Sequence, residues 1–441
     1  MNPEVYIYIL NHNYKRYFKR CFTSILGQTY SNIRLVVIDD GSTDGSQSLI
    51  SKLCDEHNIE YHLNPKSGFM HNVRLATEAG MSKYFMRVDA DDYCEPELVE
   101  TLVELLEGNN EAGLAFPNYD EVDELGNVLT KVERFNFQDN VTVFDLPAHG
   151  ACTLIRTSHF NSVGGYSPDI EKQDGYDLWL KFHGKYEVCN TKKELFHYRQ
   201  HSSNLTKNNR SLLIARSKIF AANITEETSK KITCVISFRE GELDFLLQEK
   251  ITIQDTDYDF YKLLDSLVSS KYLSQIILIT GDSTFNLGAR YQSKIEIIKR
   301  PSDLEKSGKS VMETIEWLKR EQVLKSENVL SVNPSYLFSP EEYVDGFLAS
   351  VMLFNYDVSF TFCFNNSLLY QHSGKGLVPM YSSEIRREND MIFERKGLFT
   401  YFNLNRINKP GKIVGHFEID KFSSYSVQEF SNLYGTTNAK S

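Results

Sequence analysis

The sequence predicts an α/β protein in which an open, mostly parallel sheet covered by helices is followed by a second α/β domain. The length of 441 residues exceeds what one hydrophobic core usually supports. Short apolar runs rich in β-branched residues alternate with helical patterns in the first half, and a second series of this kind begins near residue 231. The composition, 41% hydrophobic, 12% aromatic and 24% charged, is that of an ordinary globular protein. We therefore expect two domains, each with its own core.

The elements of the first half are predicted from this alternation. Strands are predicted at residues 5–10, 33–38, 59–63, 84–88 and 114–116. Helices are predicted at residues 14–26, 46–57, 70–79 and 96–106. Pro96 stands at the start of the last helix, a position that proline favours. In sheets of this kind ligands bind beyond the carboxyl ends of the strands.

The second half repeats the alternation after a polar, helix-like stretch at residues 207–231. Strands are predicted at residues 232–238, 275–280 and 328–332, and helices at residues 261–270 and 310–319. We therefore place the first domain at residues 1–215, the second at residues 231–441, and a connecting helical segment at residues 207–231.

Composition also excludes several classes of function. A formal charge of −11 and a pI near 5.6 argue against binding to nucleic acid. The seven cysteines are scattered without a CxxC pair, so that neither a disulfide framework nor a zinc site is predicted. Neither a signal peptide nor a run of 18 apolar residues is visible. A cytoplasmic protein is expected, with membrane contact only peripheral, at the inner face.

Two acidic clusters follow predicted strands. Asp39-Asp40 ends the second strand, and Asp89-Ala90-Asp91-Asp92 follows the fourth. Carboxylate oxygens suit Mg²⁺, which is typically held by one or two carboxylates together with substrate phosphates. The alternative is that these residues only cap turns, since Asp is common at such positions.

Seven motifs occur in a fixed order, and together they carry a family resemblance. They are Asn11-His12-Asn13, Ser24 to Tyr30, Val36 to Asp44, Asp89 to Asp92, Gly164-Gly165-Tyr166, Gln173 to Trp179, and Tyr198 to Asn204. With these motifs the first half resembles the family 2 inverting glycosyltransferases of the GT-A fold. The resemblance implies transfer of a sugar from a nucleotide diphosphate, with UDP as the expected nucleotide, to a hydroxyl of a glycan, lipid-linked or other acceptor. It also suggests a role in cell-surface polysaccharide synthesis.

The resemblance also implies which residues form the site. The implied nucleotide-sugar ligands are Leu10, His12, Asp39, Asp40, Arg74, Asp89, Arg199 and His201. The implied ligands of a divalent metal, Mg or Mn, are Asp89, Asp91, Asp92 and His201. Asp40 would contact the base.

Inverting transfer needs a carboxylate that takes the proton of the acceptor hydroxyl. The motif Gln173 to Trp179 offers Asp174 as this base, with Asp177 as the alternative. Asp177 could instead cap the helix that begins near Leu178.

The second half resembles the cytidylyltransferases that activate sialic acid-like sugars. The resemblance rests on Arg239-Glu240-Gly241, Ser270 to Leu273, Arg300 to Leu304, Asn333 to Leu337, and Glu418-Ile419-Asp420. Those enzymes hold triphosphate in a loop containing Gly, Ser and Lys, whereas this chain has Gly241-Glu242-Leu243-Asp244. We therefore expect a degenerate domain that serves packing, homo-oligomerisation or acceptor positioning. The alternative functions are a nucleotide-sugar-binding scaffold without turnover and a bifunctional enzyme that activates and transfers sugars.

Overall fold

The computed structural model describes most of the chain, with gaps concentrated in the second half. The described residues are 2–78, 82–133, 150–183, 185–202, 204, 208–238, 241–248, 251–253, 256–282, 285–304, 310–337, 339–364, 370–372, 377–379, 393–421, 423–427 and 429. The chain divides into two compact units, Met1–Asn208 and Asn209–Ser441. Helix α7, within the predicted connecting segment, belongs to the second unit and spans Asn209–Ala222.

The first unit alternates strands and helices over its first four strands. Its strands are β1 Val5–Asn11, β2 Ile33–Asp40, β3 Glu60–Asn64, β4 Tyr84–Asp89, β5 Tyr93–Cys94, β6 Ala112–Val122, β7 Val128–Val132, β8 Leu154–Arg156 and β9 Glu187–Arg199. Its helices are α1 Lys15–Leu26, α2 Ser46–His57, α3 Phe69–Glu78, α4 Leu98–Gly108, α5 Thr157–Ser162 and α6 Asp174–Phe182.

These strands form a nine-stranded mixed sheet in the order β3-β2-β1-β4-β8-β6-β9-β5, with β7 paired to β6. Strands β1 to β4 are parallel, β8 is antiparallel to both of its neighbours, and β6 and β9 are again parallel. Every residue of β1 is buried, as expected for a central parallel strand covered on both faces. Helix α1 packs on the sheet through residues spaced three and four apart, namely Phe18, Cys21, Phe22 and Ile25.

In the second unit helices separate the strands as far as its seventh strand, apart from one hairpin. Its strands are β10 Ile232–Ser237, β11 Ile251–Ile253, β12 Thr256–Tyr258, β13 Leu273–Thr280, β14 Ile295–Lys299, β15 Asn328–Val332, β16 Val358–Phe364, β17 Tyr370–His372, β18 Leu377–Pro379, β19 Phe393–Asn403 and β20 Val414–Glu418. Its helices after α7 are α8 Glu242–Gln248, α9 Phe260–Ser269, α10 Ala289–Gln292, α11 Val311–Arg320 and α12 Glu342–Leu353.

The main sheet of the second unit repeats the strand order of the first. Its order is β14-β13-β10-β15-β19-β16-β20. Strands β14, β13, β10 and β15 are parallel, β19 is antiparallel to both of its neighbours, and β16 and β20 are parallel. When the hairpin strands β11 and β12 are left out of the count, both sheets therefore begin with the third, second, first and fourth strands of their unit. One antiparallel strand follows, and then two strands that are parallel to each other. Two short hairpins, β11-β12 and β17-β18, are additions.

The predicted α/β architecture, with a second sheet domain after the first, is confirmed. The five strands predicted in the first half correspond to β1, β2, β3, β4 and part of β6. Prediction missed β9, whose residues 191–194 read Thr-Lys-Lys-Glu and look like a solvated loop. Within the described ranges, none of the helices has the length and apolar character needed to cross a bilayer.

Candidate active site

The candidate site lies at the carboxyl ends of the central strands of the first unit. Strand β1 lies between β2 and β4, and Leu10 pairs in register with Ile38 on one side and Asp89 on the other. Asn11 pairs with Asp39 in the same way. The side chain of Leu10 is buried. This pairing places both predicted acidic clusters at one edge of the sheet, where ligands bind in open α/β folds.

Asp39 is a buried carboxylate that organises the turn after β2. It accepts hydrogen bonds from Asn11 Nδ2 at 2.7 Å, from Ser42 N at 2.9 Å and from Gln47 Nε2 at 3.0 Å. Ser42 Oγ donates a further hydrogen bond at 2.5 Å. Asp39 thus closes the turn, while its predicted contact with the nucleotide stays a prediction.

Asp40 organises the loop that leads into helix α3. It accepts hydrogen bonds from Ser67 N at 2.7 Å, from Asn72 Nδ2 at 2.8 Å and from Gly68 N at 3.1 Å. Burial alone would raise the pKa of Asp40, but these hydrogen bonds to the charged form lower it below its ordinary value. Asp40 is therefore held as a carboxylate at the start of α3.

His12 and Lys66 lie together beside this loop. His12 Nδ1 is 2.8 Å from the carbonyl oxygen of Asp40, which can only accept, so Nδ1 carries the proton. His12 Nε2 then accepts from Lys66 Nζ at 2.8 Å. A neutral imidazole and an ammonium group thus stand next to the loop that Asp40 fixes.

The acidic motif after β4 divides into three different environments. Asp89 faces back toward the sheet and forms an ion pair with Arg87, with Oδ1 3.0 Å from Nε. Burial raises the pKa of Asp89 to about 6; Arg87 opposes the rise and the negative charge of Asp91 adds to it.

Asp91 lies beside His201, another of the implied metal ligands, and their role in binding a metal stays a prediction. Asp91 Oδ2 is 2.8 Å from His201 Nε2, and both side chains are buried. The His201 ring stacks on Tyr17, with ring centroids 5.5 Å apart, and meets the edge of Tyr14 at 5.4 Å. Two aromatic side chains of helix α1 and its entry therefore set the orientation of the imidazole.

Asp92 points into the protein and binds the end of β9. Its Oδ1 accepts from the backbone N–H of Arg199 at 2.9 Å. Burial, and then the charges of Asp91 and Asp89, raise the pKa of Asp92 well above its ordinary value. The Arg199 guanidinium is itself buried and donates to the carbonyl oxygens of Asp91, Asp123 and Glu124. Arg199 thus ties the acidic motif to the turn at residues 123 and 124 through backbone carbonyl oxygens. Its predicted contact with phosphate stays a prediction.

The arrangement around Asp91 fits a divalent cation that is bound chiefly by its nucleotide. Asp91 Oδ1 is buried without a hydrogen-bond partner among the described residues. Within the same ranges, no group of three or more His, Cys, Asp or Glu side chains converges on one point. Asp91 and His201 would be available as protein ligands of such a cation, since Mg²⁺ commonly combines carboxylates with substrate phosphates. The predicted roles of Asp89, Asp91, Asp92 and His201 as metal ligands stay predictions.

Asp174 and Asp177, the two candidates for the base, differ sharply in surroundings. Asp174 begins helix α6, and its Oδ2 lies 2.5 Å from Nη1 of Arg87. Asp177 is fully buried and accepts hydrogen bonds from the backbone N–H and hydroxyl of Ser167, both at 2.7 Å. Lys181 Nζ lies 3.1 Å from its carboxylate. Asp177 therefore holds the segment around Ser167, whereas the role of Asp174 as the base stays a prediction.

Arg74 holds the same segment from the other side. Its Nη2 donates to the carbonyl oxygens of Ser167, Pro168 and Ile170, at 2.9, 2.6 and 3.2 Å. The guanidinium is thus engaged with backbone, and its predicted role in binding the nucleotide sugar stays a prediction.

Sequence reasoning missed two residues of the site, Arg87 and Gly150. Arg87 stands within the otherwise apolar strand Tyr84–Asp89, and a charge in a buried strand needs a partner, which was an available signal. Gly150 approaches the Arg87–Asp174 pair so closely that a Cβ there would lie 2.7 Å from both carboxylate oxygens. No local pattern marks Gly150, because only tertiary packing brings it to this place.

The first unit thus combines a mostly parallel sheet with acidic residues at the carboxyl ends of its central strands, the architecture of GT-A transferases. Residues 6–164 match the family described as Glycosyl transferase family 2. The N-terminal part of the chain therefore contains a family 2 glycosyltransferase domain.

Two proteins that are similar to this chain in sequence are named as a glycosyltransferase and as a polysaccharide synthase. An uncharacterized glycosyltransferase of Rickettsia bellii is 27% identical over 242 residues, which cover 52% of this chain and 35% of the relative. The chondroitin synthase of Pasteurella multocida is 24% identical over 344 residues, 76% of this chain and 31% of the relative. The chain thus spans only about a third of the length of these two relatives.

Among solved structures, residues 1–349 of S. aureus TarS in complex with UDP-GlcNAc are 14% identical, with a TM-score of 0.42, over 51% of this chain and 68% of that one.

Proposed function

We propose that the first unit is an inverting, metal-dependent glycosyltransferase that moves a sugar from a nucleotide diphosphate, with UDP as the nucleotide, to a hydroxyl of a glycan or glycoconjugate. One observation carries the proposal: Asp91 of the acidic motif pairs with His201, and Arg87 joins Asp89 of the same motif to the candidate base Asp174. A donor side and an acceptor side are both needed for a single displacement.

The donor side would be formed by Asp91, His201 and the loop beside Lys66. A divalent cation, Mg or Mn, held by Asp91 and His201 would neutralise charge on the departing diphosphate. Lys66 Nζ, 2.8 Å from His12, places a further positive charge beside the loop fixed by Asp40. The acceptor side would be formed by Asp174, whose carboxylate takes the proton of the attacking hydroxyl.

The biological setting we propose is synthesis of a cell-surface polysaccharide. The support is the likeness to a chondroitin synthase over 76% of the chain, a protein whose name denotes polysaccharide synthesis. The donor sugar and acceptor of this chain are matters for direct assay.

The first experiment is a screen of nucleotide sugars for Mn²⁺- or Mg²⁺-dependent transfer, together with thermal stabilisation by UDP. Asp91→Ala should lower the rate by about 100-fold or more, since metal-assisted charge stabilisation is worth several kcal/mol. Asp169→Ala is the matched control, because Asp169 is an exposed carboxylate of the same unit. A less than tenfold loss in Asp91→Ala would contradict the proposal.

The same screen separates enzyme from scaffold. A nucleotide-sugar-binding scaffold would be stabilised by UDP but would turn over no donor. The anomeric configuration of the product, read by NMR, tests inversion.

For the second unit we propose a non-catalytic role, as a repeat of the same fold without the acidic motif. Where β4 is followed by Asp89-Ala90-Asp91-Asp92, the corresponding strand β15 is followed by Asn333-Pro334-Ser335. Ser335 Oγ donates to Glu242 Oε1 at 3.0 Å, which places a negative charge where a phosphate loop would need a positive one. Residues 239 and 240 of the predicted motif lie outside the described residues.

The predicted acidic pair in the tail of this unit is engaged internally. Asp420 accepts two hydrogen bonds from Arg210 Nη1, both at 3.1 Å, and one from the Tyr343 hydroxyl at 2.8 Å. Burial raises the pKa of Glu418, and the nearby Arg216 opposes the rise. Calorimetry should therefore find one UDP bound per chain and no heat with CTP; two nucleotides per chain would overturn this role for the second unit.

A further inference from the structure

Arg87 is a buried arginine shared by two carboxylates of the candidate site. Its side chain is only 4% exposed. Nη1 lies 2.5 Å from Asp174 Oδ2, and Nε lies 3.0 Å from Asp89 Oδ1. The guanidinium carbon stands 4.6 Å from the centre of the Phe69 ring, which restricts its movement. One rigid, forked cation therefore connects the acidic motif after β4 with the start of helix α6.

The contacts of Asp174 leave one of its two oxygens available. Oδ2 faces Arg87, whereas Oδ1 receives no hydrogen bond from the described residues. The backbone at Gly150 lies against both oxygens, because a Cβ atom at this position would be only 2.7 Å from each of them. The carboxylate is thus fixed by a guanidinium and by a backbone without a side chain.

We propose that Arg87 is a positioning residue for the transfer reaction: it fixes Asp174 with Oδ1 turned to the acceptor and, through Asp89, makes the donor side and the acceptor side one charge-coupled unit. This inference rests on the proposed function. In that reaction the acceptor hydroxyl gives its proton to Asp174, its oxygen forms a bond to the anomeric carbon, and the diphosphate leaves with the electron pair of the broken bond.

The charge count explains why the two sides are coupled. One guanidinium faces two carboxylates, so any group that binds Asp89 leaves Arg87 to Asp174 alone. Conversely, loss of the charge on Asp174 leaves Arg87 to Asp89 alone, and this lowers the net negative charge beside the cation that Asp91 and His201 would hold. Binding of metal and UDP should therefore depend on Asp174, although Asp174 is not among the expected metal ligands.

Gly150→Ala is the most direct variant because it moves the pair without removing a charge. The added methyl group would lie 2.7 Å from the Asp174 oxygens and 2.9 Å from Arg87 Nη2, and these side-chain ends must shift. Displacement of a reacting group by about 1 Å can cost about 100-fold in rate. Gly108→Ala is the matched control, since no atom lies within 4 Å of the corresponding Cβ position.

Kinetics and binding together test the proposal on the full chain. Gly150→Ala should lower kcat by at least about tenfold, with the donor KM changed less than about threefold. The double variant Gly150→Ala, Asp174→Asn should be no slower than Asp174→Asn alone, because both changes act on the same group. Arg87→Lys, which keeps the charge but not the fork, should recover part of the activity lost in Arg87→Met.

A binding measurement separates positioning from mere folding. Asp174→Asn should weaken Mn²⁺–UDP binding, measured by calorimetry, about threefold in the wild type but not in the Arg87→Lys background, where one ammonium cannot serve both carboxylates. Multiplicative effects of Gly150→Ala and Asp174→Asn, or wild-type kcat in a folded Gly150→Ala protein, would overturn the inference and leave the proposed function standing. Absence of any transfer and UDP binding in the wild type would overturn both.

Discussion

Removal of the Asp40 carboxylate tests whether this residue organises a loop or only contacts a ligand. Four donors converge on it, the backbone N–H groups of Ser67 and Gly68 and the side chains of Ser67 and Asn72, and Asp40 itself is 8% exposed. In Asp40→Ala these donors lose their common acceptor. The loop that leads into helix α3 should loosen even in the absence of nucleotide.

The expected loss follows from the hydrogen bonds. A hydrogen bond to a charged group contributes about 1.5–3 kcal/mol, and an exposed loop can recover part of this from water. For these donors to Asp40 we expect a loss of about 3 kcal/mol of unfolding free energy. For a unit of about 200 residues this corresponds to a fall in melting temperature of roughly 6–12 °C.

The measurement is thermal unfolding at pH 7 without ligand, with Asp55→Ala as control, since Asp55 is an exposed carboxylate on helix α2. The pH dependence gives a second test. Because the folded pKa of Asp40 is lowered, its stabilisation is present above its ordinary value of 3.8 and is lost as pH falls through the folded value. The gap between wild type and Asp40→Ala should therefore close below about pH 4. A melting temperature within 1 °C of wild type at about neutral pH would refute the organising role.

Three further predictions concern stability. Arg156→Met should cost about 3 kcal/mol by urea unfolding, because the buried guanidinium donates to three backbone carbonyls, whereas Arg16→Met, which removes an exposed ion pair, should cost at most about 1 kcal/mol. Gly113→Ala should cost about 1–3 kcal/mol, because its Cβ would lie 2.1 Å from the Phe182 ring, and Phe182→Leu in the same chain should recover part of the loss. Burial lowers the pKa of His416 from 6.5 to about 4, so on acidification the unfolded state takes up a proton before the folded state does. The free energy of unfolding should therefore fall by about 1 kcal/mol from pH 7 to pH 5, after allowance for partial exposure of the ring. His416→Gln should abolish this contribution in melting experiments.

The two units repeat one strand order but differ in the residues at the carboxyl edge of the sheet. Six pairs of neighbouring strands correspond between the two sheets, and each pair is parallel or antiparallel in the same way in both. Only the first sheet, however, has carboxylates after its fourth strand. The fold therefore supplies the edge at which a ligand can bind, and a few side chains at that edge decide whether chemistry follows.

Local patterns were sufficient for the elements with strong periodicity. Strand β1, with seven consecutive buried residues, and helix α1, with its apolar stripe, were predicted within one residue at each end. Strand β9 was missed because its polar stretch has no alternation, and helix α6 was predicted to begin near Leu178 but begins at Asp174. Its true start depends on Gln173 in a left-handed backbone conformation, which a single sequence does not reveal.

The sequence by itself determined the α/β class, the acidic motif at the end of β4 and the order of the motifs, because periodicity and spacing are local properties of the chain. Only the tertiary structure decided which carboxylates are engaged. It turned Asp92 inward to Arg199, joined Asp91 to His201, and placed Arg87 between Asp89 and Asp174. These are contacts between residues up to 110 positions apart. Such contacts depend on how strands and helices pack, since the charge and geometry of a site are set by neighbours in space.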